Sequence, residues 1–127
     1  MTDRASLLAL VAALDASPLA LRRDECGDWR ILGKLGHVYA DGAGYLLCVV
    51  SDESVRRWSN VKARCGFCRL VNDGDDEGCL RLHRLPTPKE ATFIREAIGI
   101  RKRRAVTGDA RAQLERARTL LIRPLAA

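Results

Sequence analysis

Cys65-x2-Cys68-x10-Cys79-x3-His83 carries the residue types of a zinc site, with one C-x-x-C pair at its start. Thiolate sulfur and neutral imidazole nitrogen are the ligands such an ion prefers. The spacing argues against it. The alternation around Leu80 and Leu82 reads as a strand. A rise of about 3.3 Å per residue then sets Cys79 and His83 about 13 Å apart, too far to share one tetrahedral ion. The expectation is a chain without metal or cofactor, whose cysteines serve as small apolar side chains. Cys65-Gly66-Phe67-Cys68 as a redox pair fails for a different reason. The motif closes a helix instead of opening one, so the helix dipole has the wrong sign to lower a thiol pKa.

The second group with chemical potential is cationic. Residues 1–94 hold thirteen Lys/Arg and thirteen Asp/Glu, whereas residues 95–127 hold nine and three, so the formal charge of +6 lies in the last third. Arg101-Lys102-Arg103-Arg104 is an unbroken cationic link, and Arg111 and Arg118 lie on the amphipathic helix expected after it. Such a concentration points to a polyanion, whose phosphates exchange condensed counterions for these side chains. Arg56, Arg57 and Arg64, on an earlier helix, extend the footprint if that helix lies on the same side. The competing reading is a solvated, arginine-rich surface. No recognition-helix motif is present, so base specificity is not expected.

Other chemistry finds less support. His37 and His83 are the only histidines, and no nucleophile–base set or glycine-rich phosphate loop can be assembled around them. The acidic run Asp73 to Glu77 reads as a hairpin tip, without calcium-loop spacing. Gly36-His37-Val38-Tyr39, a hairpin, and a helix bearing Arg56-Arg57-Trp58 resemble the GIY-YIG nucleases over about residues 36–64. That resemblance implies a strand tyrosine, a helix arginine and a metal-binding glutamate. The second strand motif falls on Leu47-Cys48-Val49, which lacks its tyrosine and glycine, and only Glu90 or Glu96 is available for the metal. No catalytic residue is therefore assigned, and a non-enzymatic protein is expected.

The elements that must position these groups follow from local signals. A first helix runs from Thr2 or Ser6 to about Leu14, with residues 19–28 as a connector. Trp29 to Tyr39 is extended and is split or bulged at Gly33 and Gly36. Asp41-Gly42 and Gly44 turn the chain into the apolar strand Tyr45 to Val50. Ser51 to Ser54 open a helix with Val55, Trp58 and Val61 on one stripe. A second hairpin spans Cys68 to Leu85. Thr87-Pro88-Lys89-Glu90 is a capping box opening a helix that buries Ala91, Ile94, Ala97 and Ile98 and stops at Gly99.

The predicted fold is α+β: an antiparallel sheet of four to five strands built from two hairpins, helices packed on one face, in the order α-β-β(-β)-α-β-β-α-α. One domain is expected over 1–127, with 105–127 a basic helix of some independence. Its core is expected to hold Trp29, Leu46, Val49, Val55, Trp58, Leu80, Leu82, Ile94 and Ile98. The odd cysteine count and the poor cleavage pattern after the short apolar run 7–14 predict a reducing, cytoplasmic setting, with no transmembrane segment. The function expected is nucleic-acid binding by an accessory or regulatory factor. The alternative is a protein-interaction module, an inhibitor or adaptor of the kind mobile elements carry. Its last helix would pack Ala110, Leu114, Ala117 and Leu121 on a partner or, in a homodimer, on a second copy.

Overall fold

A computed structural model describes residues 2–104. Its framework is one antiparallel sheet of six strands in the order β1-β2-β3-β4-β6-β5. The strands are β1 (Leu21–Arg23), β2 (Trp29–Gly33), β3 (Gly36–Asp41), β4 (Gly44–Val49), β5 (Arg69–Asp73) and β6 (Gly78–Leu82). Among the described residues three α-helices accompany it, α1 (Asp3–Ala13), α2 (Val55–Arg64) and α3 (Pro88–Ile98), and the last helix expected over 105–127 lies outside the described residues.

The predicted class is correct and the strand count is too low. The connector contains β1, which pairs Leu21 with Ile31 and Arg23 with Trp29. Glycines 33 and 36 split the following extended run into two strands joined by a tight hairpin.

Register assigns every strand residue to a face. Ile31, Val38, Leu47 and Leu80 stand side by side across four strands and are all buried. With Val49 and Leu82 they meet Leu7, Leu10 and Leu14 of α1, Trp58 and Val61 of α2, and Ile94 and Ile98 of α3 in one apolar cluster. The helices therefore cover a single face. Arg30, His37, Tyr39, Leu46, Cys48, Cys79 and Arg81 point to the uncovered one.

That asymmetry corrects the expected core. Leu46 lies beside Tyr39 and Arg81 on the uncovered face and is only partly buried, because among the described residues no layer covers that side of β4. Val55 is 59% exposed. Helical side chains lean toward the N-terminus, so a residue at the first helical position projects past the start of the packed stripe. Trp29 is half-buried, its ring flanked by the guanidinium groups of Arg23 and Arg4 at 4.8 and 5.3 Å.

Local chemistry closes α3 at both ends. Thr87 Oγ1 accepts from the Glu90 N–H, the Glu90 carboxylate accepts from the Thr87 N–H, and Gly99 ends the helix at φ 71°. Among the described residues no helix is long and apolar enough to cross a membrane.

Candidate nucleic-acid interface

The C-terminus of α3 is where the cationic link begins, and two neighbouring segments fix it. Its unpaired carbonyls are met by the β2–β3 hairpin: Lys34 N–H donates to Gly99 O at 3.2 Å and Leu35 N–H to Ile98 O at 2.8 Å. The chain then runs antiparallel to the segment after α1. Ser17 N–H donates to Arg101 O at 2.8 Å, Arg103 N–H donates to Asp15 O at 2.7 Å, and Ala16 and Lys102 form a bridge. Residues 101–104 are exposed as side chains, while the backbone of 101–103 is tied down.

This docking brings Arg101 beside cations from two other elements. Arg22 of β1 and Lys34 of the hairpin join it around a cleft of about 410 Å³, together with Ser17, Leu19 and Leu32. Among the described residues no carboxylate lines the cleft. All three cations are exposed, and none forms an ion pair among the described residues. The Arg22 Nε–H donates to Leu19 O at 3.1 Å, which orients its guanidinium without neutralising it. Leu19 and Leu32, 72% and 39% exposed, supply apolar surface at the rim. The site can cradle an anion and offer an apolar flank to what the anion carries.

Asp24, two residues beyond Arg22, is engaged elsewhere. Asp24 accepts from the backbone N–H groups of Cys26 and Asp28 and from the Tyr39 hydroxyl, at 2.9 to 3.0 Å. The Asp28 N–H, the Tyr39 hydroxyl and the Cys26 N–H hold its pKa below the ordinary carboxylate range against partial desolvation.

The remaining arginines border a different cleft. α2 packs over β6, where the Trp58 ring abuts Gly78 and its Nε1 donates to Asp73 at 2.9 Å. Arg57 and Arg64 line a space of about 330 Å³ with Leu35, the neighbour of Lys34 in the β2–β3 hairpin, and with Glu96 and Ala97 of α3. None of Arg56, Arg57 and Arg64 lines the cleft of Arg101. Arg64 is paired with Glu96 at 3.1 Å. Arg111 and Arg118 lie outside the described residues. Sequence reasoning misses Arg22 and Lys34, the first because it sits in an expected connector and the second because the docking of its hairpin on α3 is a tertiary event.

The zinc set is divided by the sheet. Cys65 ends α2 and is buried on the helix side, whereas Cys79 faces the uncovered side of β6. Burial pushes the Cys65 and Cys68 thiols up to about 11 and about 12. Among the described residues no three His, Cys, Asp or Glu side chains converge on one point.

The chain matches no family model, no curated protein and no solved structure. The nuclease pattern gains nothing from the geometry either. Tyr39 faces the uncovered side while the α2 arginines lie across the sheet, and Glu90 and Glu96 are ion-paired with Arg84 and Arg64.

Proposed function

We propose that the protein binds nucleic acid as a non-enzymatic accessory or regulatory factor, and that the cleft between Arg22, Lys34 and Arg101 is the anchoring point. The observation that carries this reading is the assembly of three exposed cations from three separate elements around one concavity that no carboxylate among the described residues lines. An arginine-rich surface made by composition alone would scatter its charges among acids, as the Arg64–Glu96, Arg81–Asp41 and Arg84–Glu90 pairs do. Arg103 and Arg104 continue the cationic track, and Arg111 and Arg118 extend it in sequence. Phosphate contacts of this kind give affinity without base readout. The setting proposed is cytoplasmic.

Titration of the full chain against duplex DNA, single-stranded DNA and RNA at several salt concentrations tests the reading. Binding that weakens steeply with salt supports it. No binding to any of the three at low salt removes it.

A second reading rests on β5. This edge strand is exposed along its whole length, with Leu70 and Val71 at 45% and 52%. An open apolar edge can accept a strand from another protein, which suits an inhibitor or adaptor. A homodimer through the last helix belongs to the same reading. Pull-down from the native host with and without nuclease treatment separates the two: nucleic-acid-mediated partners are lost after digestion and direct protein partners remain.

A further inference from the structure

Cys48 of β4 and Cys79 of β6 oppose each other directly in the antiparallel ladder, and their Sγ atoms are 3.7 Å apart. Both project from the uncovered face of the sheet, partly exposed, into a cleft of about 420 Å³ bordered by His37, Asn72 and Glu77. Directly opposed residues in an antiparallel pair have Cα atoms about 4.5 or 5.5 Å apart, depending on whether the pair is hydrogen-bonded. Both values fall within the roughly 4.4–6.8 Å that a disulfide accepts. The sulfurs need to approach by less than about 2 Å to reach the bonding distance of about 2.05 Å. Side-chain rotation supplies such a movement, because each thiol already points at the other.

We propose that Cys48 and Cys79 form an oxidative modification site, a dithiol that closes to a cross-strand disulfide with a low-molecular-weight disulfide as oxidant. With glutathione disulfide, one cysteine loses its proton and attacks a glutathione sulfur, leaving a mixed disulfide and releasing one glutathione thiol. The opposing cysteine loses its proton and attacks the protein-side sulfur of that bond. The second glutathione leaves as a thiol. The protein loses two S–H bonds and gains one S–S bond, a two-electron oxidation balanced by reduction of glutathione disulfide to two thiols.

Proximity drives the second step, which is intramolecular. Burial and the neighbouring Cys79 push the Cys48 thiol up to about 12, so Cys48 is protonated near neutrality. The other cysteines provide an internal comparison. Cys26 is exposed and stands alone, and Cys65 and Cys68 lie on the helix side. Independently of nucleic-acid binding, closure would tie β4 to β6 across the uncovered face.

The test equilibrates the full chain in glutathione buffers of increasing oxidation, traps free thiols with an alkylating reagent and maps the peptides by mass. The expected product is a peptide pair linked through Cys48 and Cys79, lighter by two hydrogens, while Cys26 carries at most a glutathione adduct. Cys79→Ser should abolish the link and leave Cys48 alkylated or glutathionylated. The proposal is overturned if both thiols stay alkylatable at a poise where Cys26 is fully glutathionylated, or if the link forms between Cys65 and Cys68 instead.

Discussion

The backbone N–H of Arg103 donates to the carbonyl of Asp15 at 2.7 Å, joining the link after α3 to the turn after α1. That bond, with its neighbour between Ser17 and Arg101, converts a run of cations into a fixed feature beside β1. Consequences for stability and binding follow from it and from the packing that supports it.

Gly99 sets the direction in which the link leaves α3. Its φ of 71° is left-handed, and a Cβ there would lie 3.1 Å from Lys34 Cβ and 3.2 Å from Lys34 N. Gly99→Ala should cost about 1–2 kcal/mol. It should also weaken nucleic-acid binding, because the hairpin carrying Lys34 must shift. Urea denaturation and a binding titration of the same variant check both effects.

Trp58 is fully buried, and its indole N–H donates to Asp73 and to the Gly74 carbonyl. Trp58→Ala should destabilise by about 3–5 kcal/mol. Trp58→Phe retains most of the apolar volume but leaves those acceptors without the indole donor, so about 1 kcal/mol should go with the hydrogen bond itself. Denaturant midpoints of the two variants, which should differ clearly, check this.

Val55→Ser should change stability by no more than about 0.5 kcal/mol, since the side chain is 59% exposed. A loss comparable to that of Val61→Ser would place Val55 in the core after all.

Glu90 gives the fold an acid-sensitive contact. The Arg84 guanidinium and the Thr87 backbone N–H hold its carboxyl at about 2, below its ordinary 4.5. A depressed folded-state pKa contributes stability above the unfolded value and loses it as pH falls through the folded one. The contribution is therefore complete above about 4.5 and gone below about 2. Thermal midpoints measured across that window should fall further in the parent than in Glu90→Gln.

Legibility followed how local each signal was. α3 was readable because its cap, proline, buried stripe and terminal glycine all sit within thirteen consecutive residues, Thr87 to Gly99. β4 was readable as a strand, but its unbroken apolar run gave no sign of which residues face the core, and Leu46 was expected there with Val49. The helices cover one face only, which leaves Leu46 and Cys48 on the other. β1 is three residues with a single apolar side chain, Leu21, and becomes a strand only by pairing with residues 29–31. The basic link was visible in composition. Its partners Arg22 and Lys34 were not, because tertiary hydrogen bonds bring them together. The opposition of Cys48 and Cys79 depends on strand order, which places β6 and not β5 beside β4.

The most direct test of the central claim compares salt dependence in two charge-matched triple variants. One removes the cleft cations, Arg22→Ala, Lys34→Ala and Arg101→Ala; the other removes Arg56→Ala, Arg57→Ala and Arg64→Ala. Each is titrated with duplex DNA over a range of salt concentrations beside the parent. The cleft variant should bind more weakly, with its salt slope reduced by up to about 0.9 for each phosphate that is no longer neutralised. The α2 variant should keep the parental slope. Parental binding in the cleft variant, or a flattened slope in the α2 variant instead, would contradict the account.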